Sequence, residues 1–200
     1  MSLTIYYTFV DTKKEAYNLT KYNNPNVLKY RKLVDRNNHY VSDLMKLHFA
    51  KGKKISYNPF GKPYVANMET GFNISHDHQL IVGVESEDSE IGIDTVRLNR
   101  DVDVQAFHDV FNSNEDKSLE TFSKKEAILK MIGTGLSIPM ESIKIDTNDC
   151  ILMNNVPLTC KIFDHYIEEP DSMDKYYISV AIPKTSRHAF IQPSLTYFHI

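Results

Sequence analysis

The sequence predicts an α+β protein made of two similar modules. Residues 3–10 (LTIYYTFV) are β-branched and aromatic, the composition of a strand. Helical periodicity follows, then a block of short strands; a second helix then leads into a second block of strands. Each half therefore offers a helix and about three strands, the segregated order of an α+β fold. The boundary falls near residues 97–103, which gives modules 1–98 and 99–200 packed side by side with a cleft between them.

Each element has its own signal. Asn24 before Pro25 reads as a helix start, with proline at the first helical position. Val27, Leu28, Leu33, Tyr40, Val41, Leu44 and Leu47 recur at helical spacing, and Gly52 reads as the stop. The pattern fits two helices, or one broken near Asn37 and Asn38. "NPFGKPY" reads as a turn-rich loop, followed by strands at 72–75, 80–85 and 90–94. Residues 101–117 are weakly helical. Ser123 opens a helix over 124–132, and Gly133 reads as its left-handed cap. Strands at 142–146, 158–163, 176–182 and 195–198 complete the chain.

Composition excludes several classes. The 200 residues are 42% hydrophobic and 24% charged, enough for one sizeable core. The net charge of −3 argues against a general nucleic-acid binder. No apolar run is long enough to cross a membrane, and the N-terminus reads as a first strand rather than a signal peptide. Cys150 and Cys160 have no metal-ligand spacing and read as reduced thiols of a cytoplasmic protein.

Few residues stand out chemically. In "EIGIDT", Ile91 and Ile93 alternate on a strand and leave Asp94 at its end, either capping the strand exit or facing a cleft. Ser123 and Glu126 form S-x-x-E, the pattern of a capping box. Glu126 and Lys130 lie one turn apart, a spacing worth about 0.2–0.5 kcal/mol as a surface pair. The same spacing puts a carboxylate and an ammonium on one face, where Asp94 and Glu126 could hold Mg²⁺ and Lys130 a phosphate. His76 and His78 have no third ligand spaced for zinc, but a histidine beside Ser75 can donate to a phosphate. Lys62 follows Gly61 in a turn, and Lys29, Arg31 and Lys32 make a short basic face; solvated side chains are the usual explanation of both.

Taken together, "GKP", "FNISH", "GIDT" and "FSKKEAILKMIGTGL" resemble the 4′-phosphopantetheinyl transferase superfamily, and its larger, pseudodimeric, surfactin-synthetase-activator branch more closely. That family's pattern reads G-K-P, F-N-x-S-H-S, G-I-D-I-E and W-x-x-K-E-A-x-x-K-x-x-G-x-G-L. The match spans about residues 60 to 139, and more loosely the flanking elements.

The resemblance implies a pseudo-twofold fold and a monomer. It implies Mg²⁺-dependent (or Mn²⁺-dependent) transfer of the phosphopantetheine arm of coenzyme A to a serine of an apo acyl or peptidyl carrier protein, releasing adenosine 3′,5′-bisphosphate. Asp94 and Glu126 would ligate the metal, and Lys130 would contact the pyrophosphate. Glu126, Lys130 and Asp94 would be the catalytic residues, with Glu126 taking the serine proton. Lys62 and His76 would hold phosphates, with Ser75 near the latter. Gly61 and Pro63 would shape the adenine side, and Lys29 and Arg31 would add charge at the 3′-phosphate. No nucleic acid or membrane is involved in that chemistry.

The chain departs from the pattern in places. Val96 stands where a third carboxylate is frequent, with Glu115 or a water as the compensating ligand. Phe122 replaces a tryptophan. Asp77 follows His76 where serine is common, adding negative charge near a phosphate. The interval from Asp94 to Glu126 is shorter than in the larger branch, in the region that meets the carrier. These departures motivate an alternative, a degenerate member that binds coenzyme A or a carrier without transfer. A plain α+β interaction domain is the third reading.

Overall fold

The computed structural model describes residues 3–11, 29–30, 32–87, 90–100, 111, 118–146, 150–189 and 191–199. The chain runs through β1 (Thr4–Phe9), α1 (Leu33–Ala50), β2 (Ile55–Tyr57), β3 (Pro63–Val65), β4 (Gly71–Asp77), β5 (Leu80–Ser86), β6 (Gly92–Arg97), α2 (Leu119–Ile132), β7 (Ile143–Ile145), β8 (Ile151–Met153), β9 (Val156–Pro157), β10 (Cys160–Glu168), β11 (Lys175–Pro183) and β12 (Ser194–Tyr197). The α+β class predicted from the sequence is the class observed.

Two sheets form the middle of the molecule. One has the order β12-β1-β5-β4 and the other β10-β11-β6. They face each other across a core in which Ile5, Leu80, Val82 and Val84 of the first meet Ile93, Ile178, Val180 and Ile182 of the second. Helix α1 covers the outer face of the first sheet through Val41, Met45 and Phe49, packed with Phe72 and Ile81. Helix α2 covers the outer face of the second through Ala127, Ile128 and Met131, packed with Ala181. The layers are therefore helix, sheet, sheet, helix. Strand β11 is buried on both faces, so its sequence, YYISVAI, is a continuous apolar run rather than an alternating one.

Strands cross between the two halves of the chain. β12 pairs in parallel with β1, and β6 pairs with β11. Of most consequence for the site is the seam between β4 and β6. These strands are edges of different sheets and share no backbone ladder. Side chains on one face of β4 join them instead. Asn73 Oδ1 accepts from the Ile93 amide at 3.0 Å, Ser75 Oγ donates to Asp94 Oδ1 at 2.8 Å, and Asp77 Oδ2 accepts from the Arg97 amide at 2.7 Å.

The helices depart from expectation at defined points. α1 is not broken at Asn37 and Asn38. Both carboxamides leave the helix and donate to the Asp11 and His78 carbonyls, at 3.3 and 2.7 Å, so their turn-forming tendency is spent on other segments. The helix ends at Ala50, with Lys51 in the left-handed conformation just before Gly52. The start expected at Asn24 and Pro25, Arg31, Glu115 and, apart from Phe111, the expected 101–117 helix lie outside the described residues.

α2 begins earlier than Ser123. Its cap is Ser118, whose hydroxyl accepts from the Thr121 amide at 3.2 Å. Ser123 is fully buried inside the helix, and its hydroxyl lies 3.1 Å from that of Ser179 on β11. The S-x-x-E pattern is therefore no capping box here. Gly133 does close the helix in the left-handed conformation, at φ 84°. The "NPFGKPY" stretch supplies the turn of a hairpin: residues 58–62 link β2 and β3, which pair through Ile55 with Val65 and Tyr57 with Pro63, so only Pro63 and Tyr64 of the expected loop lie in a strand. Both cysteines are free; Cys150 is exposed, and burial pushes the Cys160 thiol up to about 11. Among the described residues, no helix is long and apolar enough to cross a membrane.

Candidate functional site

A cleft of about 420 Å³ opens along the β4–β6 seam under α2, lined by Ser75, His76, Asp94, Val96, Glu126 and Lys130 among others. β4 supplies Ser75 and His76, β6 supplies Asp94 and Val96, and α2 supplies Glu126 and Lys130. A second cleft of about 240 Å³ adjoins it, with Glu126 and Lys130 common to both. Its other walls are Phe60, Gly61, Lys62 and Pro63 of the hairpin, and Gly133 and Gly135 past the end of α2. Residues far apart in the chain thus meet at one helical turn.

The centre of the site is a three-way contact. Lys130 Nζ donates to Asp94 Oδ1 at 2.6 Å and to Ser75 Oγ at 2.8 Å, while Ser75 donates to the same carboxylate oxygen. Asp94 is 6% exposed, so its charge is met by Lys130 and Ser75 rather than by bulk water. Lys130 therefore reaches across to β6, and the Glu126–Lys130 spacing serves a tertiary contact. Burial pushes the Glu126 carboxyl above its ordinary range; the charge of Asp94 adds to this, and Lys130 opposes it. Both carboxylates line the same cleft.

The donor set fits a hard, oxygen-liganded divalent ion. Asp94 and Glu126 supply two carboxylates, and magnesium takes one or two carboxylates with waters and phosphate oxygens. Among the described residues, no group of three or more His, Cys, Asp or Glu is placed to hold a metal. Val96 lines the same cleft at 2% exposure and presents methyl groups there, with no oxygen for a cation.

The remaining predicted residues fall into three sets. His76 faces the first cleft, and its ring lies edge-on to His39 at 5.9 Å between centroids. Burial, then the charges of His39 and Lys130, holds its imidazole below the usual range. Gly61, Lys62 and Pro63 line the second cleft. Lys29 is exposed and lines neither cleft; its neighbour Tyr30 stacks on His39 at 3.9 Å. Asp77 lines the first cleft, but Arg100 lies 3.3 Å from it, so its charge is countered.

Lys62 is not a solvated lysine. Its ammonium donates to the Met131 carbonyl at 2.8 Å, in the last turn of α2, and burial lowers it to about 8 despite the opposing charge of Glu90. Its ordinary value is 10.5. The folded chain therefore releases this proton near pH 8 while the unfolded chain holds it to about 10.5, so stability rises with pH across that window. The expected result is a shallower rise in Tm from pH 8 to 10 for Lys62→Met than for the parent. Parallel thermal melts measure it, and equal slopes count against this state of Lys62.

Sequence reasoning missed Asn58, Asn73 and Arg100. The alternation of Asn73, Ser75 and Asp77 along one face of β4 was a usable signal for the seam. Asn58 and Arg100 carried none beyond residue type.

Two carboxylates, two lysines and a histidine around adjoining clefts are the groups that hold a divalent cation and phosphate oxygens. No family model matches the chain. It is similar to the 4′-phosphopantetheinyl transferase gsp of Aneurinibacillus migulanus, 32% identical over 104 residues, covering 46% of this chain and 43% of that protein. It is also similar to the 4′-phosphopantetheinyl transferase ffp of Bacillus subtilis, 27% identical over 105 residues, covering 46% of each. The chain spans less than half the length of these curated relatives. The similarities support a place in the 4′-phosphopantetheinyl transferase superfamily.

Proposed function

We propose that this protein transfers the 4′-phosphopantetheine arm of coenzyme A to a serine of an apo acyl or peptidyl carrier protein. The observation that carries this reading is the convergence of Ser75, His76, Asp94, Glu126 and Lys130 on one cleft. In this reading residues 1–98 and 99–200 are the two modules of a monomeric, cytoplasmic pseudodimer. The first supplies Ser75, His76 and Asp94, and the second supplies Glu126 and Lys130.

Asp94 and Glu126 would hold Mg²⁺, which when bound would stabilise charge on the phosphate oxygens. Lys130 neutralises the pyrophosphate, and His76 with Lys62 holds the other phosphate oxygens. The carrier serine oxygen forms a bond to the β-phosphorus. The bridging bond to adenosine 3′,5′-bisphosphate breaks, and that group leaves with the electron pair. The serine proton passes to Glu126, directly or through a water. Positioning and charge stabilisation supply most of the acceleration in phosphoryl transfer.

A second reading has its own observation. Lys130 lies directly on Asp94 Oδ1, an oxygen that a cation would need, and Val96 offers no replacement. A member that binds coenzyme A without transfer fits that contact. Mass spectrometry of an apo carrier after incubation with this protein, coenzyme A and Mg²⁺ separates the two. The added mass of one phosphopantetheine arm, abolished by EDTA, is the expected result. Coenzyme A binding by calorimetry with no added mass on either carrier type establishes the second reading. Neither binding nor transfer overturns both.

A further inference from the structure

Two side chains tie the hairpin between β2 and β3 to the end of α2: Lys62, whose ammonium donates to the Met131 carbonyl at 2.8 Å, and Asn58. Asn58 Oδ1 accepts from the amides of Phe60 at 2.9 Å and Lys62 at 2.8 Å, while its Nδ2 donates to the Gly133 carbonyl at 2.7 Å. The backbone closes the same turn, with the Asn58 amide donating to Lys62 O and the Gly61 amide to Asn58 O, both at 3.0 Å. Gly61 takes φ 88° inside this turn. Three of the four bonds that a carboxamide can make are thus fixed. Two shape the turn, and the third ties it to an orphan carbonyl just past the helix.

This geometry sits between the two walls of the smaller cleft. Phe60, Gly61, Lys62 and Pro63 form one wall; Gly133 and Gly135 form the other. Glu126 and Lys130 complete it from the preceding turns of α2. A Cβ on Gly133 would meet Asn58 Nδ2 at 3.2 Å and Lys62 Cδ at 3.1 Å, so the walls are already closely seated there. The Lys62 ammonium holds the far end of its own side chain on the helix, whereas the Asn58 carboxamide joins the turn's backbone amides to Gly133 and so bears directly on where the Gly61–Lys62–Pro63 backbone sits relative to Lys130.

We propose that Asn58 is a positioning residue that sets the hairpin against the end of α2 and so fixes the coenzyme A side of the site. This rests on the transfer reading above. Asn58 touches no reacting atom. Its loss is therefore expected in the affinity for coenzyme A, with the chemical step and the carrier interaction left near their parent values. The backbone bonds within the turn survive, so the hairpin persists but is no longer seated against Gly133.

Two substitutions separate the two jobs. Asn58→Asp keeps an acceptor for the Phe60 and Lys62 amides but has no donor for Gly133 O, and it adds negative charge at a helix C-terminus, where the dipole disfavours it. Asn58→Ala loses both. Loss of one bridging hydrogen bond to a seated wall predicts a rise in KM for coenzyme A of about tenfold in each variant, with kcat within about twofold and carrier KM unchanged. Hydrogen exchange reports the turn independently of activity: the Lys62 amide stays protected in Asn58→Asp and exchanges faster in Asn58→Ala. Calorimetry with coenzyme A alone separates failures. A parent that binds coenzyme A together with an Asn58→Asp variant that binds it equally well overturns the role of Asn58. A parent that binds none overturns this inference and the transfer reading together. A fall in kcat with coenzyme A affinity intact also overturns it.

Discussion

Replacing Glu126 by glutamine lowers transfer by about a hundredfold to a thousandfold, the range for losing one preorganised charge-stabilising group. Asp94→Asn has an effect of the same order. The fold survives both. Glutamine matches glutamate in shape, and burial already works against the Glu126 charge, so an amide costs the packed state little. Asparagine keeps an oxygen for the Ser75 hydroxyl and Lys130, the two donors that meet Asp94 Oδ1. Alanine at 94 is a worse probe, because it removes the charge and also leaves the Lys130 ammonium and the Ser75 hydroxyl without the oxygen they share. Transfer to an apo carrier measures the loss, thermal melting confirms the fold, and calorimetry shows whether coenzyme A still binds. Parent-like transfer in either variant ends the assignment of these carboxylates. Loss of transfer with binding of coenzyme A retained is the expected outcome, because His76, Lys62 and Lys130 remain in place.

These two carboxylates were singled out by the motif resemblance, since local spacing alone left a structural alternative open for each. Glu126 and Lys130 are spaced by one helical turn, and Asp94 follows Ile91 and Ile93 in plain alternation, so short-range periodicity indicates where each side chain can point, although β6 continues to Arg97 and Asp94 lies within the strand rather than at its end as expected. What periodicity does not carry is the partner. The spacing reads equally well as a surface ion pair, whereas Lys130 in fact crosses to Asp94 on another element. The start of α2 was misread for a related reason. S-x-x-E at Ser123 is the correct local pattern for a cap, but the pattern does not register that Ser123 is buried against Ser179. The bonding of Asn37 and Asn38 to the Asp11 and His78 carbonyls is equally invisible from a window of the sequence. The layered α+β class followed from element order, which survives such errors. The β4–β6 seam did not, because it is made of side-chain bonds between edges of different sheets.

Gly92→Ala is expected to be the most damaging single methyl group in the described core. Gly92 begins β6, two residues before Asp94, where α2 crosses the strand. A Cβ there would overlap the Ala127 carbonyl oxygen and the Met131 amide nitrogen, and would lie 3.0 Å from the Lys130 carbonyl carbon. All three are helix backbone, so no rotamer change relieves them. Overpacking typically costs about 1–3 kcal/mol and sometimes more, and a clash with unyielding backbone belongs at about 3 kcal/mol or above, a fall in Tm of roughly 10 °C. Gly83→Ala is the control. Its Cβ would overlap Met45 Sδ and the Phe49 ring, side-chain atoms that can shift, so its cost is smaller. The residues that clash in Gly92→Ala flank Glu126 and Lys130, so any outward movement of α2 carries both groups away from Asp94. Stability and transfer should therefore fall together in Gly92→Ala, whereas Glu126→Gln loses transfer alone. Adding Ala127→Gly to Gly92→Ala distinguishes backbone from side-chain crowding. Because the obstruction is the Ala127 carbonyl and not its methyl, the second glycine gives no rescue and lowers helix stability further. A double variant that regains the parent Tm would mean that the strand and helix are held apart by side chains, and that the close backbone approach does not set the position of the site.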